Sequence, residues 1–346
     1  MSSDPGEEPR RHREFVLVGA LALAAVAGAF ASRLLFSAQP PSSQRPARPI
    51  VQIVRQQPGL PDLSDVVDRL CPSVAMIVPR GADASAPSST AGTAAASLVS
   101  ADGWLLVSSS ALPQGQLDAV FGDGTRSSLS EMRQDPVSGL AIVKSGGAAG
   151  PPLTFNDQAF PRVGQFSVAV RTPVGDGCSA SAAMIGSDFL ADGGGSAGYI
   201  RLQPAPDPWT PGEPWFGADG RVIGIGADDP AGNVIPAPLV SVIVDELVRN
   251  SLSPATEFGF RPTDYPAPIS TRLGNLRSGA GVALVQPKSA AARAGLKAGD
   301  IVTAVGRVPV SGASELGRAL DAQQNAATLT VERDGQQLTV TVKREH

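Results

Sequence analysis

The chain has 346 residues, 42% of them hydrophobic, 17% charged and 5% aromatic, with a net charge of -4. That length holds about two or three domains, and the absence of any long Lys/Arg run beyond the N-terminus excludes the electrostatic footprint of a nucleic-acid binder. The 38 Gly and 31 Pro are spread along the chain, a composition that favours short strands and tight turns over long helices.

Residues 15–32 carry no charge, follow Arg10, Arg11 and Arg13, and run past Arg33 into Leu34, Leu35 and Phe36. Residues 15–36 therefore read as a transmembrane anchor, near the roughly 20 residues that span a bilayer. The arginine cluster predicts a cytoplasmic segment 1–14 and export of the rest, a single pass in a bacterial inner membrane with a periplasmic bulk. Ala29-Phe30-Ala31 resembles a cleavage site, so a removed signal peptide is the competing reading; the length of the apolar run favours the anchor. Residues 37–62, rich in Pro, Gln, Ser and Arg, read as an extended linker.

Short apolar runs separated by turn residues follow: Val74 to Val78, Ala94 to Val99, Trp104 to Val107, Leu117 to Phe121, Leu140 to Val143, Phe166 to Val170, Tyr199 to Leu202 and Val222 to Ile225. Asp102-Gly103, Asp123-Gly124 and Asp219-Gly220 supply hairpin chemistry between them. The pattern predicts a β-sandwich or barrel. From Ala237 the apolar positions Leu239, Val240, Ile243, Val244 and Leu247 fall on one helical face, predicting a helix that ends this domain.

Chemistry-bearing residues are scarce. The two histidines, His12 and His346, lie outside both expected domains, so no imidazole base is expected in either. Without domain histidines, and with two distant cysteines, no metal or other cofactor is expected. Cys71 and Cys178 both fall in the exported part, where they either form a disulfide or stay as two buried thiols.

Three strings carry a resemblance in the first domain. Ser100-Ala101-Asp102-Gly103-Trp104-Leu105-Leu106, then Asp135-Pro136 with Leu140-Ala141-Ile142-Val143-Lys144, then Asp219-Gly220-Arg221-Val222-Ile223-Gly224-Ile225 resemble, in order and spacing, the HtrA/Deg family of trypsin-like proteases with PDZ domains. The resemblance runs from about Leu70 to the C-terminus. It implies a mostly β chain: a trypsin-like double β-barrel over residues 63–251, then an α+β PDZ domain over residues 255–345, behind the N-terminal transmembrane helix.

Carried over position by position, the resemblance puts Ser110 at the family's histidine, Gly139 at its aspartate and Pro211 at its serine. Trp209 then stands where a glycine of the oxyanion hole is expected, and Pro211 brings no N–H to that hole. In the second domain Phe258-Gly259-Phe260 resembles the loop whose backbone holds a peptide's terminal carboxylate. Ser289 to Val302, with Gly295-Leu296-Lys297-Ala298-Gly299-Asp300 inside it, matches the most specific motif of that domain. A helix over 314–322 would line the groove with Leu316, Ala319 and Leu320, and a ligand would add as a strand to the sheet edge.

These residues lead to the expectation that the chain is not an enzyme. They suggest a catalytically inactive, membrane-anchored envelope protein that binds polypeptide C-termini as a scaffold, adaptor or regulator in protein quality control. The family habit of trimerising adds homotrimers, or mixed trimers with an active HtrA-type protease, as expected partners. The alternative is a serine endopeptidase of the HtrA/Deg type.

Overall fold

The computed structural model describes residues 63–82, 93–147, 150–172, 178–187, 198–229, 231–264 and 279–345. The expected membrane segment at 15–36 and the linker at 37–62 lie outside the described residues. Among those residues no helix is long and apolar enough to cross a membrane.

A short helix α1 (Ser64–Leu70) leads into β1 (Val74–Pro79), β2 (Ala94–Leu98), β3 (Trp104–Ser108), β4 (Leu117–Phe121), β5 (Arg126–Gln134) and β6 (Leu140–Ser145). These six close a barrel in the order β1-β2-β3-β6-β5-β4. A second barrel, ordered β10-β11-β12-β9-β8-β7, is built from β7 (Phe166–Arg171), β8 (Ser179–Ser187), β9 (Ile200–Gln203), β10 (Pro214–Phe216), β11 (Val222–Gly226) and β12 (Asn233–Pro236). The mostly β double barrel expected from the sequence is thus present.

Why these runs become strands follows from which faces they bury. Leu105 and Val107 point into the first barrel, whereas Trp104 and Leu106 join the core shared between the barrels. In the second barrel Trp215 and Ile223 point inward, and Phe216, Val222 and Ile225 face the shared core. A strand buried on both sides reads as a continuous apolar run rather than an alternating one. At the hairpin between β4 and β5, Gly124 holds φ +82° while an Asp123 carboxylate oxygen accepts from the Thr125 N–H at 2.8 Å. Glycine takes that left-handed backbone without a Cβ clash, which is why Asp-Gly marks the turn.

Helix α2 (Ala237–Arg249) lays Leu239, Val240, Ile243, Val244 and Leu247 into the shared core, as its periodicity predicts. It ends at Asn250, in the left-handed conformation common just past a helix end. The C-terminal part forms a sheet ordered β13-β14-β15-β17-β18 from β13 (Phe260–Thr263), β14 (Ala280–Val285), β15 (Ile301–Val305), β17 (Ala326–Arg333) and β18 (Gln336–Lys343), with β16 (Val308–Pro309) beside β15. Helices α3 (Ala290–Arg293) and α4 (Ala313–Asp321) pack on it.

Leu316 and Leu320 require a correction. The sequence reading places them on a groove wall, but both are fully buried among Phe258, Phe260, Val302 and Leu329. Spacing finds the apolar stripe of a helix, and this stripe serves the core. Ala319 is half-buried against the same core. A cleft beside β13 is lined instead by Ala313, Ser314, Gly317, Arg318 and Asp321 of α4.

Candidate functional site

At the end of β3 the chain turns through Ser109–Ala111. The Ser108 and Ser110 hydroxyls lie 3.0 Å apart, and Gln134 Nε2 donates to Ser109 Oγ at 3.0 Å. Ser109 N–H donates to Gly139 O at 2.9 Å, and Gly139, with φ +73°, donates to Asp135 O at 3.1 Å. From the second barrel Gly212 reaches the same place: a Cβ added to it would sit 2.7 Å from Ser108 N. The segments holding Ser110, Gly139 and Pro211 therefore meet where the barrels face each other.

Three interactions fix the second-barrel side of this meeting point. Trp209 donates through Nε1 to Ala227 O at 2.9 Å, and its ring lies where any side chain on Gly226 would go. Arg171 grips the fully buried Glu213 with two nitrogens, Nε on one carboxylate oxygen and Nη2 on the other at 3.0 Å, and Nη2 also donates to Pro208 O at 3.1 Å. Burial pushes the Glu213 carboxyl above its ordinary pKa, against the pull of Arg171. The polar groups assembled here are hydroxyls, one amide and this carboxylate. Among the described residues there is no histidine, and none offers three clustered His, Cys, Asp or Glu side chains to a metal ion.

Asp135, four residues before Gly139, is fully buried and carries a larger structural load than the sequence suggests. Its carboxylate accepts from the Val137 N–H at 3.3 Å, the Ser138 N–H at 3.0 Å and the Ser138 hydroxyl. It also accepts from Arg261 Nε on β13 at 3.0 Å, while Arg261 Nη1 reaches Glu246 of α2 at 2.6 Å. Sequence reasoning missed both Arg261 and Glu246, because nothing local signals an ion pair between residues so far apart in the chain.

In the C-terminal domain Phe258, Gly259 and Phe260 are all buried: the two rings join the core, and the Gly259 N–H donates to Thr256 O at 3.0 Å. Gly259 between them has φ +84°, and a Cβ there would lie 2.3 Å from the Ser289 Cβ. Ser289 holds the loop by donating its hydroxyl to Gly259 O at 3.2 Å, and Ser289 Oγ caps α3 by accepting from the Ala292 N–H at 3.2 Å. Asp300 closes the Gly-Leu-x-x-Gly-Asp turn by accepting from the Lys297 N–H at 2.9 Å and from Arg333 Nη2 at 2.6 Å. Beside β13 and α4 lies a cleft of about 580 Å³ whose far wall is α2 and residues 251–254.

Residues 281–333 match the PDZ domain family. A probable periplasmic serine endoprotease, DegP-like, of Rhizobium meliloti (strain 1021) is 28% identical over 260 residues, which are 71% of this chain and 51% of that protein. The periplasmic serine endoprotease DegP of Escherichia coli (strain K12) is 25% identical, across 64% of this chain and 50% of its own length. The chain is homologous to the HtrA/DegP serine proteases and carries a PDZ domain. It spans about half the length of the curated relatives it matches. The serine endoprotease from Yersinia pestis shares the fold at a TM-score of 0.50 and 19% identity, over 83% of this chain and 98% of that one. The HtrA-type protease AlgW with a tripeptide does so at 0.50 and 21%, over 82% and 97%.

The homology corrects one expectation. The reading that the chain is not an enzyme, drawn from Ser110, Gly139, Pro211 and Trp209, is overturned by the relatives: they are named serine endoproteases, and homology to HtrA/DegP points to an enzyme.

Proposed function

We propose that this chain is a periplasmic HtrA/DegP-type protein that captures polypeptide C-termini in its PDZ domain. The observation that carries the reading is the Phe258-Gly259-Phe260 loop, whose rings are buried, whose glycine holds a positive φ against Ser289, and whose Phe260 N–H falls on the free edge of β13, where it can meet a carboxylate. Capture of a C-terminus by such a loop, with strand addition at a sheet edge, is a recurrent mode of peptide recognition. We further propose residues 63–251 as the protease-type domain, residues 255–345 as the PDZ domain and residues 15–36 as a single membrane anchor, with trimers as the assembled form.

The test is binding of fluorescent peptides to the chain from residue 39 onward. Peptides with a free C-terminal carboxylate should bind, amidated copies should not, and Gly259→Asp, which puts a charge and a Cβ against Ser289, should abolish binding. Equal binding of free and amidated peptides sinks the reading.

Serine endopeptidase activity is the second reading, favoured by the names of the relatives. We take Ser110, Gly139 and Pro211 as the positions equivalent to the family's histidine, aspartate and serine. The meeting of their segments at the barrel junction supports that equivalence. On this reading the reacting groups lie at that junction, and the exposed Ser110 hydroxyl is the one to remove first. Release of fluorescence from labelled unfolded casein, lost in Ser110→Ala, is the expected result; absence of hydrolysis by the unaltered chain rejects it.

A further inference from the structure

β13 is the end strand of its sheet, paired to β14 alone. Gly259 O accepts from Gln286 N–H and Arg261 stands opposite Leu284, so the alternation of an antiparallel ladder turns Phe260 and Pro262 to the free edge. Pro262 has no N–H to give. A polypeptide added along this edge therefore loses a rung there, and its affinity must come from side chains.

The cleft beside that broken edge supplies them from outside the PDZ domain. Val242 of α2, 49% exposed, and Leu252 of the connecting segment, 36% exposed, are two of the large apolar side chains that the described surface leaves in water, and both line this cleft. Across from them α4 presents Gly317, whose missing side chain leaves the space open. The cleft's charges are mostly satisfied: Arg261 is paired with Asp135 and Glu246, and Asp321 lies 4.0 Å from Arg344. Exposed Arg318 has Glu315 as its charged neighbour on α4, but that carboxylate accepts its hydrogen bonds from Ser311 and leaves the guanidinium donors facing the cleft.

We infer that the last helix of the double barrel is part of the PDZ ligand site, and that the ligand is a polypeptide C-terminus carrying an aliphatic residue next to an acidic one upstream of its terminus. The aliphatic side chain packs on Val242 and Leu252, and the acidic one pairs with Arg318. This rests on the C-terminal capture proposed above and adds the class of sequence captured. Exposed apolar surface rimmed by polar groups marks such interaction sites, and the complementary charge selects register more than affinity.

The experiment uses labelled peptides in which an adjacent Leu-Asp pair is walked upstream from a terminal valine, titrated against the chain from residue 39 onward. One position of the pair should bind best. There, Leu→Ser in the peptide should weaken binding about ten-fold, the scale of a lost apolar contact in a pocket. Asp→Lys should weaken it by roughly three- to five-fold, the scale of an exposed ion pair. In Val242→Ser the first preference should vanish, and in Arg318→Glu the second should reverse; both residues are exposed, so neither change disturbs the core. Free-carboxylate peptides that bind equally wherever the pair stands, or preferences unchanged in both variants, overturn the inference and leave C-terminal capture intact. Amidated peptides that bind as well as free ones overturn capture itself, and the inference with it.

Discussion

Arg171 and Glu213 show how much a single buried charge can demand of its partner. Glu213 is fully buried beside the turn that carries Pro211, and its carboxylate takes two contacts from one guanidinium. Arg171→Met would leave that carboxylate without a counter-charge, which costs about 3–5 kcal/mol when one partner of a buried pair is removed. Burial raises the folded-state pKa of Glu213 above its unfolded value, so the protonated form is the one that folding favours. Its contribution is fully present below the unfolded pKa and is lost as pH rises through the folded one. Removing Arg171 raises the folded value further. The melting temperature of Arg171→Met should therefore fall short of the parent by a margin that grows from pH 5 towards pH 8. A margin independent of pH would show that the lost stability came from packing.

The Arg261 contacts act at the level of elements, holding an edge strand of the PDZ domain against a loop of the first barrel and a helix that closes the second. Arg261 is 1% exposed and Asp135 0%, so the pair sits in a medium where attraction is strong and solvation is gone. Arg261→Leu should destabilise the fold by about 3–5 kcal/mol, because Asp135 and Glu246 are left facing apolar carbon. Denaturant unfolding measures this. Pairing the change with Asp135→Asn should recover a large part of the loss, and failure to recover would assign the effect to Glu246. Elements of this molecule were legible in proportion to how completely they are buried. β3, β6 and β11 bury both faces and stand out as apolar runs, as does the core stripe of α2. β5 alternates largely between exposed and half-buried positions, β8 is mostly Ser and Ala around Met184 and Ile185, and both pass for loop in the sequence because their stability comes from ladder pairing more than apolar content. The stripe of α4 was visible for the opposite reason: Leu316 and Leu320 face the core, and the cleft side of that helix is small and polar.

At the scale of the whole molecule the two barrels are joined by more than their shared core. Cys71, just past α1, is bonded to Cys178, the residue before β8, 107 positions further along the chain and at a Cα–Cα distance of 5.8 Å. Spacing in the sequence left a bond and two thiols equally open, since residues so far apart declare their proximity only once both barrels have closed. Gly122 shows that the fold makes room for the bridge: a Cβ there would lie 2.6 Å from one sulfur and 2.9 Å from the other. A cross-link over so long a loop restricts the unfolded chain, and on the chain-entropy account it contributes roughly 2–5 kcal/mol. Thermal unfolding of the oxidised chain should therefore begin well above that of the same chain in excess dithiol, while a Cys71→Ser, Cys178→Ser double variant should melt at the lower temperature with or without reductant. Gly122→Ala, by crowding both sulfurs, should shift the oxidised protein towards the reduced value. If reductant lowers the double variant's melting temperature as well, the shift belongs to the reagent and the bridge adds nothing to the stability of the folded barrels.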